Sequence, residues 1–412
     1  MTSPLDVERI KADFPILQRK VKDKRLVYLD SASSAQKPLS VLDAMDFAYR
    51  DYYSNVHRGV YEIAELATAE FEKARRKVAK FIGAKTWREL IFVRNATEAI
   101  NLVAYTWGRA NLRSGDVVVL SHMEHHANIV PWQMLAAERG IVLRWIPLTP
   151  EYTLDLTNLD ELLHGAKLLC ISAMSNVLGT INDVAHLVAA AHAHGALALI
   201  DACQSVPHLS TDVTAWDADF VAFSAHKMCG PSGIGALWAR EELLEAMPPF
   251  LGGGEMIRDV RIEGFTTNEL PWKFEAGTPA IVEAVGFGAA VDYLAAMGMD
   301  AVRDHEQRLT RYALDALTDA FPQSLTIYGP RDISIRGGAI SFLFDGIHAH
   351  DISQVLDEDG VCVRAGHHCA KPLMRQLAIP ATSRASFYIY NDERDVDDLV
   401  VALAKAEKFF AL

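Results

Sequence analysis

Apolar residues along this chain fall into short unbroken runs rather than into strict alternation with polar ones. Runs at 90–93, 117–120, 168–171, 196–200 and 220–223 stand apart from one another. Helical patterns fill the gaps, at 97–108, 127–139 and 184–194. Apolar runs this short, separated by helices, predict parallel strands buried on both faces. Residues 31–297, from Ser31 to Met297, therefore read as one large α/β domain. Within it the Gly- and charge-rich stretch 251–270 predicts a surface loop or hairpin, and 278–297 predicts a long helix leaving the domain. Farther on, strands near 325–328, 339–344 and 361–363 mix with helices. Residues 298–412, joined by 1–30, are expected to form a smaller α+β domain.

Composition narrows the choice of partners. The chain has 412 residues, half of them hydrophobic and 23% charged, which is ordinary for a soluble globular protein with room for more than one domain. Its formal net charge is -13, with both signs interspersed. Nucleic acid or an anionic membrane as main partner calls for a basic face and is not expected; a small anion held by a few local groups is still allowed. The first 14 residues carry Asp6, Glu8 and Asp13 and no apolar signal core. No run approaches the roughly 18 apolar residues of a membrane helix; the most apolar stretch, 187–200, is broken by His192, His194 and Gly195. Cys170, Cys203, Cys229, Cys362 and Cys369 form no CxxC pair, so neither a disulfide framework nor a metal site is expected. A reducing cytoplasmic setting fits, with room for one reactive thiol.

Four polar clusters follow apolar runs, where ligands of open α/β sheets bind. The most informative is Ser224-Ala225-His226-Lys227, which ends a strand and enters a Gly-rich turn. A partly desolvated lysine there has a lowered pKa and a free amine for attack on a carbonyl, with Ser224 and His226 as phosphate donors. Asp201 ends another run, where a carboxylate can pair with a protonated pyridine nitrogen. Asn95-Ala96-Thr97 opens a helix, where backbone N–H groups and a hydroxyl suit phosphate. His125 follows a third strand, where an imidazole can cover a cofactor ring and move protons. Each cluster taken alone also has a plain structural reading. Lys227 could be a surface lysine, Asp201 a turn residue, Thr97 a helix cap and His125 a helix-initiating side chain. Their joint placement points to a pyridoxal-phosphate (PLP) enzyme with Lys227 as the cofactor's Schiff-base lysine.

Beyond these clusters, the sequence closely resembles cysteine desulfurases of the SufS type (group II), in the class V aminotransferase branch of fold-type I PLP enzymes. The resemblance runs from about Ala12 through the C-terminal helix. It is carried by Tyr28-Leu29-Asp30-Ser31-Ala32, Asn55-Val56-His57-Arg58-Gly59, 124–132, Ser175-Asn176-Val177-Leu178-Gly179 and the Lys227 segment. Phe274-Glu275-Ala276-Gly277-Thr278-Pro279 and Arg364-Ala365-Gly366-His367-His368-Cys369-Ala370 complete it. The resemblance implies a mostly parallel seven-stranded sheet and assigns roles. Lys227 would carry PLP, Asp201 face its ring nitrogen, Gln204 bond its phenolic oxygen, and His125 stack on it. Ala96, Thr97, Ser224 and His226 would hold its phosphate, with Thr278 reaching the phosphate of a neighbouring subunit in a homodimer. Arg384 would clamp the substrate carboxylate bidentately, with Asn176, Arg364 and His57 also at the substrate. Small departures occur at Ala96, Ala225 and the Met228-Cys229 pair, where the family often has other residues; they bear on phosphate contacts and remove no catalytic group.

Cys369 separates the chemistries PLP supports. Its Gly-His-His-Cys loop is flanked by basic groups, surroundings that favour a thiolate, whereas Cys170 and Cys362 read as inert packing. The implied reaction uses Lys227 to move the Cα proton of L-cysteine and His125 for the thiol proton. Cys369 attacks the substrate sulfur, leaving an enzyme persulfide and releasing L-alanine. A persulfide needs a taker, so a sulfur acceptor protein of the SufE or SufU kind, serving iron-sulfur cluster assembly, is expected. His350, within Ile347-His348-Ala349-His350-Asp351, is a candidate contact for it. Selenocysteine is a second candidate substrate. A class V aminotransferase would need no cysteine at 369, and a non-catalytic scaffold would not need Lys227, Asp201 and His125.

Overall fold

The computed structural model describes residues 5–410. Its large sheet has seven strands: β1 Leu90–Val93, β2 Val117–Ser121, β3 Val142–Ile146, β4 Ala166–Ser172, β5 Leu197–Asp201, β6 Phe220–Ser224 and β7 Gly235–Ala239. Their order is β1-β7-β6-β5-β4-β2-β3. All pairings are parallel except those of β7, which runs antiparallel to both β1 and β6. Every residue of β1, β2, β6 and β7 is buried, which is why their sequences lack alternation. On one face, helices Glu62–Phe81 and Ile281–Met297 bring Phe71 and Phe287 against Phe223. On the other, Trp107 and Trp132 cover Phe220 and Leu120.

The sequence pattern does not reveal β3 or β7. β3 is an edge strand with Arg144 at its centre and only Ile146 buried, so it lacks an apolar run. β7 follows a Gly-rich turn and returns antiparallel, breaking the strand-helix rhythm. Gly235 must lack a side chain, because a Cβ would stand 2.6 Å from Phe223 O and 2.9 Å from the Asn95 Cα. The helix expected from Thr278 begins at Ile281, because the residue before Pro279 is driven out of the helical region. The stretch 251–270 carries the hairpin Ile257–Arg261 with Gly264–Thr267.

A second, antiparallel sheet joins β8 Leu325–Tyr328, β9 Ala339–Phe344, β10 Arg364–Gly366 and β11 Thr382–Ser386 in the order β8-β9-β11-β10. Helices Met299–Ala320, Ala349–Glu358 and Glu393–Phe410 enclose its core around Leu309, Phe342 and Leu399. Residues Val27–Tyr28 pair in parallel with Val361–Cys362, and Val27 and Leu29 pack on this second core, whereas Ile10 and Phe14 pack into the first. Gly298, at φ 80°, sits at the 74° break between Ile281–Met297 and Met299–Ala320. Among the described residues no single helix is long and apolar enough to cross a membrane.

One ionic knot ties β1 to the segment that carries Thr278. The fully buried Arg75 donates Nη1 and Nη2 to Glu275 at 2.5 and 2.8 Å, Nε to Glu72 at 2.9 Å and Nη1 to Leu90 O at 3.0 Å. Burial pushes the Glu72 carboxyl up, but His57, Arg75 and Trp272 outweigh it and hold its pKa at about 2. Its pairing energy is therefore present above the ordinary carboxylate pKa of about 4.3 and is lost as pH falls from there to about 2. Arg75→Met strands two buried carboxylates and is expected to lower unfolding free energy by about 3–5 kcal/mol. Urea titration at neutral pH measures the loss.

Candidate active site

Strands β1, β2, β4, β5 and β6 direct their carboxyl ends into a cleft of about 220 Å³, roofed by Arg364, His368, Cys369 and Arg384 from the second sheet. Ala96, Thr97, His125, Asn176, Asp201, Gln204, Ser224, His226, Lys227, Arg364, Cys369 and Arg384 all line it. Each arrives by a short local device. Asn95 caps the helix Ala96–Val103 by accepting from the Glu98 N–H at 3.0 Å, which spares the Thr97 hydroxyl from that role. The Ala96 N–H meets Ser224 Oγ at 2.9 Å, joining the ends of β1 and β6 at the cleft floor. Asp201 ends β5, with Oδ1 taking the Cys203 N–H at 3.0 Å. Gln204 Nε2 donates to Ala32 O at 2.7 Å. Lys227 ends the helical turn Ala225–Lys227 directly after β6.

The histidines here are neutral. Burial, then the Lys227 charge, lowers His125 to about 4; burial with Lys227 and Lys37 does the same to His226. His125 Nδ1 accepts the Ala127 N–H at 3.0 Å, so the neutral ring carries its proton on Nε2. The loop bearing it is fixed from below by Glu124. That buried carboxylate takes hydrogen bonds from Ser121 Oγ at 2.5 Å, Ser172 Oγ at 2.7 Å and Asn128 Nδ2 at 2.7 Å. Burial raises its pKa to about 7 against the pull of those donors.

The roof is held by guanidinium groups. Arg384, buried, donates Nη1 to Asn176 O at 2.7 Å and Nη2 to Asp30 Oδ1 at 3.1 Å and Ser33 Oγ at 2.8 Å. Its Nε is buried with no partner among the described residues. Arg364 Nη1 reaches Ser33 Oγ at 2.7 Å, and its Nη2 stands 4.0 Å from the Cys369 sulfur. Of the basic groups flanking Cys369 in sequence, His368 supplies no charge. Burial and the two arginines lower its pKa to about 2, and its Nε2 turns to Thr382 at 2.9–3.1 Å. The positive charge at the sulfur is Arg364.

Two predicted residues lie elsewhere. His57 is not among the residues lining this cleft: its Nε2 lies 2.9 Å from Glu72 Oε1 and its ring packs against Trp272. Thr278 lines a separate cavity of about 370 Å³ with Arg94 and Phe274. Asp30, Ser33 and Glu124 support the site without having been assigned a role from sequence. Asp30 and Glu124 sit within the motifs that carry the resemblance, and that proximity was the available signal; Ser33 immediately follows one.

The chain matches the family model described as aminotransferase class-V over residues 27–399. A probable cysteine desulfurase of Streptomyces coelicolor is 51% identical, the match spanning 98% of both chains. The apo structure of a cysteine desulfurase from Thermococcus onnurineus superposes with a TM-score of 0.94 at 37% identity, covering 100% of both chains. The cysteine desulfurase CsdA of Escherichia coli, in an S-sulfonic acid form, gives a TM-score of 0.90 at 38% identity over 99% of this chain and 100% of that one. The chain therefore belongs to the class-V aminotransferase family and, within it, to the SufS/CsdA-type cysteine desulfurases.

Proposed function

We propose that this cysteine desulfurase binds PLP through Lys227, moves sulfur from L-cysteine onto Cys369 as a persulfide, and passes it to an acceptor protein for iron-sulfur cluster assembly. The supporting observation is that Lys227, Asp201, Arg384 and Cys369 share one cleft. Its donor set fits PLP: an amine at the end of β6, a carboxylate at the end of β5, and hydroxyl and N–H donors at the β1–helix turn. Bound there, PLP supplies an electron sink that acidifies the substrate Cα–H bond and weakens the Cβ–S bond.

The residues divide the remaining work. Asp201 holds the proton on the ring nitrogen, and Gln204 steadies the phenolic oxygen. Thr97, Ser224, His226 and the Ala96 turn take the phosphate. Arg384, with Asn176 and Arg364 beside it, orients the substrate carboxylate. Lys227 Nζ takes the Cα proton, and the neutral His125 ring exchanges a proton with the substrate thiol. Cys369 Sγ then attacks the substrate sulfur. The S–S bond forms as Cβ–S breaks, the electron pair stays with the carbon fragment, and protonation there completes L-alanine. Nothing else is oxidised or reduced: cysteine plus enzyme thiol gives alanine plus enzyme persulfide.

Two assemblies belong to the proposal. A second copy of the chain would cover the exposed Phe47, Tyr49, Tyr53 and Val60, the last 93% exposed, and would receive Thr278 at its own phosphate site. The acceptor would dock near His350, an exposed residue whose ring stands 5.1 Å from His348.

Cys369→Ala should keep the visible absorbance of bound PLP while persulfide formation falls by roughly 10²-fold or more, as expected for loss of a nucleophile acting in concert with its site. Mass spectrometry after cysteine addition reads this; unchanged sulfur transfer would remove Cys369 from the mechanism. Arg384→Lys replaces a planar fork by a point charge and should raise the KM for cysteine about 10- to 100-fold, the worth of a charge-assisted hydrogen bond. Steady-state kinetics check it. For His125, burial and Lys227 favour the neutral ring. Its NMR signals should stay flat through about 6.5, where an ordinary imidazole titrates, and move only as pH falls toward about 4.

A further inference from the structure

The turn that presents Cys369 is conformationally costly. His368 and Cys369 have φ of 49° and 57°, consecutive non-glycine residues in the left-handed region, which L residues resist. Such a turn persists only where its surroundings hold it. Both carbonyls are held from the large-sheet side: Asn176 Nδ2 donates to His368 O at 2.7 Å, and the His126 N–H donates to Cys369 O at 2.7 Å. The chain then enters the short helix Lys371–Gln376, whose cap residue, Ala370, has no side-chain acceptor for the first orphan N–H groups. His126 supplies it from the other domain, its Nε2 accepting the Lys371 N–H at 2.9 Å.

We propose that His126 is a positioning residue that clamps the Cys369 turn over the cleft, its ring serving as acceptor for the helix that follows the cysteine. This rests on Cys369 being the sulfur-accepting thiol. An acceptor Nε2 must be unprotonated, so the clamp is acid-labile. The charged or titratable groups facing the ring are His367, centroids 5.5 Å apart, Lys371, and His125 at 6.3 Å on its own loop. Burial, then His367 and Lys371, lowers the His126 pKa. An opened loop frees the ring to its ordinary value near 6.5. As pH falls through that value the open form takes the proton first, and the clamp weakens.

The test is amide hydrogen exchange on the holoenzyme, corrected for intrinsic rate, together with single-turnover alanine formation. In wild type, protection of the 364–376 segment should decline as pH drops below about 6.5. His126→Ala keeps the backbone N–H but loses the ring. Above about pH 6.5 protection should fall roughly five- to tenfold, the range expected for one net hydrogen bond, with the gap to wild type closing as pH drops, and alanine formation should slow to match. His126→Gln places a non-titrating oxygen near Nε2 and should restore both while abolishing the acid decline. Protection of 393–410 should not change in either variant, which separates the clamp from general unfolding. Unaltered protection of 364–376 in His126→Ala would overturn the proposal. So would an acid decline in His126→Gln parallel to wild type, which would assign the effect to His367. Repeating the exchange in Cys369→Ala separates the two claims, since the clamp survives there even if alanine formation shows that Cys369 is not the acceptor.

Discussion

A buried guanidinium cannot be left unpaired, and the placement of Arg384 organises the whole cleft around that requirement. Rooted in β11 of the small sheet, it reaches Asn176 O beyond β4 and both Asp30 and Ser33 in the N-terminal segment. Three stretches far apart in sequence are thereby drawn to one point. Arg364 from the neighbouring β10 adds a second tie to Ser33 and stands beside the Cys369 sulfur. The groups that close the roof over the carboxyl ends of the large sheet are therefore the same ones suited to an anionic substrate. The unpartnered Arg384 Nε is what this closure leaves over.

Charge and neutrality are separated in this site by burial. The guanidinium groups of Arg364 and Arg384 supply positive charge at the roof, with Arg384 3.1 Å from Asp30 Oδ1. The imidazoles of His125, His226 and His368 are kept neutral, because desolvation and nearby cations both oppose their protonation. The proton sits on Nε2 of His125, whose Nδ1 accepts the Ala127 N–H, and on Nε2 of His368, which meets Thr382 O. Beneath them Glu124, among three donors, fixes the loop on which His125 and His126 stand. Rigid support below and a strained turn above place the thiol against the rest of the machinery.

Local pattern carried much of the fold. Five of the seven large-sheet strands are unbroken apolar runs, and the residues at several of their ends are those that line the cleft. That legibility has a direct cause: a strand buried on both faces has no place for polar side chains until it ends. The strands that escaped were β3, solvated at the edge with Arg144 in its middle, and β7, antiparallel after a Gly-rich turn. His57 lies outside the cleft lining of the single chain. Its motif speaks of its neighbours in sequence, whereas its contact with Glu72 joins it to the knot at Arg75.

By itself the sequence determined the chemistry available: an amine, a carboxylate, hydroxyl and N–H donors and a thiol, each at a recognisable break in hydrophobic pattern or in a motif that resembles those of cysteine desulfurases. Those properties are local, since propensity, burial and residue type are written position by position. Only the tertiary structure decided which groups face one another. It chose Arg364 rather than His368 as the charge at the sulfur, exposed Asp30 and Ser33 as supports, and set His126 as acceptor for the helix after Cys369. Such pairings join residues hundreds of positions apart, and no periodicity records them. They follow from packing one sheet's edge against another, where every buried polar group must find a partner.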